Sequence, residues 1–315
     1  MKKLQENILE VQGLKKYFPN RKGFLNKIVS YNKAVNGVDF SIEKGESVGL
    51  VGESGSGKTT VGRCVVKLYE PTEGRINFNI DGQMIDVTSV PKKDMKSIRK
   101  HFQMLFQDVY SSLDSRMKVL DIVTEPMAIH NIGNKKDRID LAKELMERVG
   151  LSANDISKYP HQFSGGQRQR IGIARALSAS PSFIVCDEAV SALDVSIQGQ
   201  IIKLLMKLGE ELNLTYLFIS HDLSVVRHIS DRVAVMYLGK IVEITTSDNL
   251  YKNPKHPYTI SLLSAVPIPD PKVARTRERI VLSGDVPSPI TPPSGCPFHT
   301  RCQLSLIHIC RCRRA

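Results

Sequence analysis

The stretch Gly52-Glu53-Ser54-Gly55-Ser56-Gly57-Lys58-Thr59 constrains the fold of this chain more than any other. It meets the pattern G-x-x-x-x-G-K-[ST] at every fixed position. The apolar run Ser47-Val48-Gly49-Leu50-Val51 before it reads as a short buried strand. Thr60-Val61-Gly62-Arg63-Cys64-Val65-Val66 behind it can start a helix. Strand, glycine loop and helix, in that order, form the context in which the pattern cradles phosphate. The glycines let several backbone N–H groups turn inward, and the helix N-terminus adds partial positive charge. In that reading Lys58 reaches the β- and γ-phosphates and the Thr59 hydroxyl meets Mg²⁺. Without the flanking strand the same residues would be a Gly-Ser turn beside a surface lysine.

The chain has 315 residues, room for one large α/β domain or two smaller ones. Apolar residues are 41% and charged residues 24%, an ordinary balance for a chain in water. No apolar run approaches the ~18 residues a membrane-spanning helix needs. Met1-Lys2-Lys3-Leu4-Gln5-Glu6-Asn7 lacks the apolar core of a signal peptide, so a cytoplasmic location is expected. The net charge of +12 fits nucleic acid, an anionic membrane face or simple solubility. No aromatics interleave with the basic residues as a base-stacking surface would require, which favours solubility and closeness to a membrane surface.

Carboxylates and a histidine follow at strand ends. Phe183-Ile184-Val185-Cys186-Asp187-Glu188 reads as an apolar strand ending in two acids. In an open α/β sheet ligands lie at the carboxyl ends of strands. Asp187 can join the Mg²⁺ shell and Glu188 can polarise a water. A solvated pair of strand-end acids is the plainer alternative. Thr215-Tyr216-Leu217-Phe218-Ile219-Ser220 brings His221 to the same edge. Before these, Phe163-Ser164-Gly165-Gly166-Gln167-Arg168-Gln169-Arg170 leads into the helix Ile171–Leu177, with Ser164 as its N-cap. Read alone, Ser-Gly-Gly is only a loop.

The remaining elements are coarser. Ile8–Tyr17 reads as an edge strand, and Pro19–Lys33 as a polar connection. A second strand runs near Ala34–Ile42. Arg75–Ile80 ends at the hairpin signal Asp81-Gly82. The region from about 108 to 180 reads as a helical insertion. After Ser191-Ala192-Leu193-Asp194, the residues Ile197, Ile201, Leu204, Leu205, Leu208 and Leu212 line one helix face. Val233–Glu243 reads as a hairpin. From Asn253 onward a proline-rich stretch, with Pro267, Pro269, Pro271, Pro287, Pro289, Pro292 and Pro293, predicts an extended appendage with little core of its own.

Together these motifs resemble the nucleotide-binding subunit of an ABC transporter. The order carries it: phosphate loop, Gln107, Ser164-Gly165-Gly166-Gln167, Asp187-Glu188, Ser191-Ala192-Leu193-Asp194, His221. The finer resemblance is to the second ATPase subunit of the oligopeptide/dipeptide permease type. Tyr159-Pro160-His161-Gln162 before the signature, Val195-Ser196-Ile197-Gln198, and His256-Pro257-Tyr258-Thr259 carry it. It spans residues 8–303. The implied fold is α/β: a P-loop NTPase core with an antiparallel β subdomain and an inserted helical subdomain, within residues 1–265. A proline-rich C-terminal segment, 266–303, follows.

The resemblance also implies roles. Gly52, Glu53, Ser54, Gly55, Ser56, Gly57, Lys58, Thr59 and Thr60 would hold ATP, with Thr59, Asp187 and Gln107 around Mg²⁺. Phe18 (or Tyr17) would stack on adenine. Gln107 would also touch the transmembrane partner. Ser164, Gly165, Gly166 and Gln167 would close on the ATP of an opposite subunit. Glu188 would be the general base, Asp194 part of the dimer loop, and His221 a γ-phosphate contact. Ala189 departs from the family, which usually has proline there, and could loosen the loop. The expected partners are permease subunits, a second ATPase subunit and, indirectly, a substrate-binding protein, at the cytoplasmic face of the membrane. No nucleic-acid partner is expected. The alternatives are a soluble ABC-type ATPase acting on nucleic acid or ribosomes, or an assembly ATPase without transport. The absence of a second cassette, of long coiled coils and of a plain C-terminus weighs against them.

Six cysteines are unevenly spread. Cys64 and Cys186 sit in apolar contexts and read as buried thiols. Relatives of the peptide-permease type can carry a C-terminal cysteine cluster for an iron–sulfur centre, which needs four ligands of the thiolate class. Cys296 and Cys302 are its candidates here. Cys310 and Cys312 do not restore the family spacing, and Leu304–Ala315 reads as the translation of a sequencing-library transposon adapter. No stable cluster is therefore expected on this chain, although a longer parent could form one.

Overall fold

The computed structural model describes residues 6–23, 26–108, 112–266 and 280–305. Two sheets and a helical layer organise them. The larger sheet has six strands in the order β10-β9-β3-β8-β7-β6. These are β3 (Ser47–Val51), β6 (Phe102–Leu105), β7 (Phe183–Asp187), β8 (Thr215–Ile219), β9 (Arg232–Tyr237) and β10 (Lys240–Thr246). All adjacent pairs are parallel except β9 with β10. The parallel strands are covered on both faces, so they read as unbroken apolar runs in the sequence. Alternation along them feeds two cores. Ile184, Cys186 and Phe218 join the helical side, whereas Val185, Leu217 and Ile219 join the side under the second sheet.

That second sheet is antiparallel, in the order β2-β1-β4-β5: β1 (Asn7–Lys22), β2 (Lys27–Glu43), β4 (Glu73–Ile80) and β5 (Gln83–Asp86). Two expectations are corrected here. β1 is not an edge strand, since β2 and β4 flank it. The stretch from Pro19 to Lys33, read as a connection, is mostly the far end of a long β1–β2 hairpin. It carries no apolar period because it is solvated on both faces: Ile28, Val29 and Tyr31 are all exposed. Backbone pairing alone defines those residues as strand.

Nine α-helices and two short 3₁₀ helices, Ala153–Ser157 and Pro160–Gln162, are found among the described residues. α1 (Lys58–Val65) follows the phosphate loop, and the short α2 (Met95–Ile98) precedes edge strand β6. α3 (Val119–Ile129), α4 (Lys135–Arg148) and α5 (Gly165–Leu177) form the expected helical insertion. α6 (Val195–Leu212) buries Ile201, Ile202, Leu205 and Leu208. Leu212 departs from the predicted face and is exposed, because the helix ends beside it at a left-handed Asn213. α7 (Leu223–Ile229), α8 (Ser247–Lys252) and α9 (Pro257–Ser264) close the chain against the sheet. Cys64 and Cys186 are both buried, and burial pushes the Cys64 thiol up to about 12. Among the described residues no helix is long and apolar enough to cross a membrane.

The C-terminal segment is the larger correction. Of the prolines cited above, 267, 269 and 271 lie outside the described residues. Residues 280–305 lack regular structure but are not without a core. Phe298 is 1% exposed and packs on Tyr237, Tyr258 and His256. Ile280 accepts from the Ser261 hydroxyl, and the Pro289 carbonyl accepts from the Lys33 N–H at 3.1 Å. The segment is thus fastened to α9, to β2 and to the aromatic cluster. Phe298→Ala is expected to lower unfolding free energy by about 3–5 kcal/mol, as for other fully buried aromatics. Urea-unfolding curves measure it, and a change below about 1 kcal/mol would show that the segment adds nothing to the core.

Candidate nucleotide site

The loop after β3 has a shape that only glycine permits at two points. Gly52 has φ 153°, and a Cβ there would lie 2.1 Å from the Met236 carbonyl oxygen. Gly57 has φ 107°, and its Cβ would lie 2.1 Å from the Ala34 carbonyl oxygen. β9 and β2 therefore clamp the loop from two sides. Gly57 is the N-cap of α1 and no side chain caps that end. The first-turn amides of Lys58, Thr59 and Thr60 are open to an anion, as helix N-termini are. Ser54 and Gly55 crown the loop in solvent, while Ser56 is buried.

Lys58 is buried. Its Nζ donates to the carbonyls of Gly52 and Glu53, each at 2.8 Å. Burial draws its pKa down, and Glu188, Asp187 and Glu53 push it back up. It is a cation held in place by backbone carbonyls at the mouth of the loop. Thr59 Oγ1 donates to Asp187 Oδ1 at 2.8 Å, across the β8 strand that separates β3 from β7. Burial raises the Asp187 carboxyl above its usual range, against the Thr59 hydrogen bond and the Arg63 charge. A hydroxyl and a buried carboxylate side by side are hard oxygen donors, the set that suits Mg²⁺.

Glu188 lies one residue past β7, in a left-handed conformation with φ 49°. Such a conformation is costly for a residue with a Cβ and persists only when its surroundings fix it. Here the Glu188 N–H donates to the Ile219 carbonyl at 2.9 Å. Its own carbonyl accepts from the Ser191 N–H and hydroxyl. Those bonds hold the turn that contains Ala189, which is 2% exposed. Both carboxylate oxygens are engaged: Oε2 accepts from Gln107 Nε2 at 3.0 Å, and Oε1 faces His221 Nδ1 at 3.3 Å. β6, β7 and β8 thus bring Gln107, Glu188 and His221 to one edge. Gln107, two residues past β6, is placed on Glu188.

Two further expectations shift. Phe18 packs edge-on to Tyr69, at 5.5 Å between ring centroids, with Lys16 over both rings. The Tyr17 hydroxyl instead donates to Asn36, in the Lys33–Asn36 stretch that lies on Gly57 and Gly239. Of the two aromatics, Tyr17 is therefore the one tied to the loop's surroundings. Glu53 is not turned toward the loop mouth. Its N–H donates to Tyr258 Oη at 2.9 Å and its carboxylate meets Arg301 at 3.1 Å. In the sequence Tyr258 stands only within the stretch that carries the resemblance, with no role at the loop, and Arg301 has no role at all. Tyr258 had a signal, because Pro257 at the first helical position marks the start of α9 just before it. Arg301 had none.

The Ser164 segment forms the N-terminus of α5 as expected. Ser164 Oγ accepts from the Gln167 N–H, and Gln167 Oε1 accepts from the Ser164 N–H at 2.9 Å, a reciprocal capping box. Gly165 lies against Leu193, and a Cβ at Gly166 would lie 2.5 Å from Ile197. Ser164 and Gln167 are exposed and make no hydrogen bond or ion pair to the phosphate loop among the described residues. Asp194 caps α6, accepting from the Ile197 N–H and the Ser196 hydroxyl, bonds that lower its pKa. Cys296 is exposed and Cys302 partly buried. No group of three or more His, Cys, Asp or Glu able to hold a metal ion occurs among the described residues. Cys310 and Cys312 lie outside them.

Comparison with known proteins places this geometry. Residues 35–191 match the family described as ABC transporter, and residues 242–310 match the oligopeptide/dipeptide transporter C-terminal region. The second match reaches into the stretch read as adapter-derived. The oligopeptide transport ATP-binding protein AppF of Bacillus subtilis is 55% identical, over 96% of this chain and 91% of that relative. The putative oligopeptide transport ATP-binding protein YkfD of the same organism is 53% identical, over 94% and 87%. Among solved structures, the ATP-binding cassette MJ0796, in a dimeric post-hydrolysis state bound to ADP and Pi, aligns with a TM-score of 0.66. It is 28% identical, over 76% of this chain and 98% of that one.

Proposed function

The chain belongs to the ABC transporter ATPases, of the oligopeptide/dipeptide type, and from that premise we propose that it binds and hydrolyses ATP to energise import of oligopeptides or dipeptides through a membrane permease. The observation that carries the hydrolytic part is Glu188, held on both carboxylate oxygens at a strand end beside the phosphate loop. The peptide assignment rests on the C-terminal match and on what the relatives are called. The readings as a nucleic-acid, ribosome or assembly ATPase gain no support from those relatives.

Each residue then has a task. The α1 amides and Lys58 hold the β- and γ-phosphates, and Tyr17, rather than Phe18, offers the ring beside the base. Thr59 and Asp187 would hold Mg²⁺, which supplies charge neutralisation on the phosphates. Glu188 takes a proton from the attacking water as its oxygen bonds to the γ-phosphorus, and the bond to the β-phosphate breaks. His221 and Gln107 keep that carboxylate aimed. Ser164 to Gln167, remote from this chain's own loop in hydrogen bonding, complete the site of a second ATPase subunit, with Asp194 holding the adjoining helix. The groove between β6 and α5, lined by Phe106, Leu113 and Arg175, seats the permease at the cytoplasmic face of the membrane.

Lys58→Ala tests the nucleotide site. It removes charge-assisted bonds to the phosphates and is expected to weaken ATP binding about ten- to hundredfold. Equilibrium binding of a fluorescent ATP analogue reads it. Unchanged affinity would overturn the assignment of this loop. ATP-dependent uptake of labelled peptide by vesicles holding the assembled transporter tests the peptide reading, and uptake of another solute class in place of peptide would end it.

A further inference from the structure

Glu53 stands inside the phosphate loop, yet its N–H and its carboxylate are both turned away from the loop mouth. Its carbonyl accepts from Lys58 Nζ at 2.8 Å and its N–H donates to Tyr258 Oη at 2.9 Å. Its carboxylate accepts from Arg301 Nη1 at 3.1 and 3.4 Å. Arg301 is only 9% exposed, although it lies in a segment without regular structure. It is held there by its neighbours. Phe298, three residues earlier, is locked between Tyr237 and Tyr258 with ring centroids 5.2 and 5.5 Å away. The C-terminal segment therefore reaches back across the sheet to grip the residue next to Gly52.

We propose that Arg301 is a positioning residue for the nucleotide site, through which the C-terminal segment sets the shape and charge of the phosphate loop. Two physical effects combine. The loop is glycine-rich, so holding it in its binding shape costs conformational entropy, and a residue fastened at three points offsets that cost before ligand arrives. Glu53 also carries a negative charge near the seat of a polyanion. The guanidinium, whose Nη1 is shared between both carboxylate oxygens, neutralises it. Loss of Arg301 would free the loop and leave an uncompensated carboxylate beside the incoming phosphates. The same contact gives the C-terminal segment a means of control: any event that lifts Phe298 from its aromatic seat withdraws Arg301 from Glu53. This inference rests on the loop being the ATP site.

A double-mutant cycle on the full chain tests it, with binding of a fluorescent ATP analogue measured without divalent metal so that no turnover occurs. Arg301→Ala is expected to weaken binding about tenfold, in the range of coupling between contacting charged groups. Arg301→Lys, which keeps the charge and loses the planar guanidinium, should recover part of the affinity. In a Glu53→Gln background, Arg301→Ala should change affinity by less than about twofold, because the charge to be neutralised is gone. Amide exchange of the loop should rise in Arg301→Ala and not in Arg301→Lys. An unchanged affinity in Arg301→Ala, or an equal loss in both backgrounds, would overturn the proposal. Should Arg301→Ala fail to fold, Arg301→Lys against Glu53→Gln carries the same comparison. Lys58→Ala separates the two readings. If it binds as the parent does, the nucleotide site is misassigned; if it loses binding while Arg301→Ala does not, only the role of Arg301 is wrong.

Discussion

Glu188→Gln is expected to slow ATP hydrolysis about 10²- to 10⁴-fold, the usual worth of a general base, while leaving ATP binding intact. The substitution keeps the size of the side chain and most of its hydrogen bonding. Gln107 can still donate to an amide oxygen in the place of Oε2, and the left-handed turn is still closed by Ser191 and Ile219. What is lost is the ability to accept a proton from water. In the proposed site, binding energy comes from Lys58, the α1 amides and the Thr59–Asp187 pair, none of which is altered. The variant should therefore accumulate with ATP bound and its partner subunit closed on it. Lys58→Ala should do the opposite and fail before that stage. Single-turnover hydrolysis in the assembled transporter, beside a binding measurement, separates the two. Hydrolysis by Glu188→Gln at the parent rate would remove Glu188 from the role of base and leave His221 or Gln107 to be tested in its place.

The site was legible in the sequence where its parts are contiguous. Gly52 to Thr59 is one loop, Asp187-Glu188 ends one apolar run, and Ser164 with Gln167 forms a cap within one turn. Each is dictated by neighbours in the chain, so pattern and geometry coincide. What was not legible depends on distant partners. Gln107 follows a strand of only four residues, too short to show a period, and its bond to Glu188 spans 81 positions. The β1–β2 hairpin beyond Pro19 is defined by backbone pairing, which side chains solvated on both faces do not announce. Arg301 meets Glu53 across 248 positions, from a stretch whose prolines argue against any packed element. Proline does exclude helix and central strand there. It does not exclude burial of Phe298, because an irregular segment can still place one ring in a waiting aromatic pocket.

The arrangement of Ser164 leads to the second large effect, which appears only in a pair of subunits. Ser164 and Gln167 are exposed, satisfied by each other, and unconnected to the loop that holds Lys58 in the same chain. If they complete a site, it is the site of a facing subunit. Consider dimers assembled from differently tagged copies, one set carrying Ser164→Arg and one Lys58→Ala. With the two changes on different chains, both defects fall on a single shared site, and the other site is untouched. With the two changes on the same chain, each site has one defect and neither can close. Nucleotide trapped per dimer should thus be about half the parent value in the first arrangement and close to none in the second, the result of requiring both surfaces for tight binding. Trapping by the Glu188→Gln form gives the readout without turnover. A site built within one chain predicts the reverse, since a doubly altered chain would leave its partner whole. Half-trapping by the dimer with both changes on one chain would therefore place Ser164 beside its own phosphate loop, and the shared site would have to be abandoned.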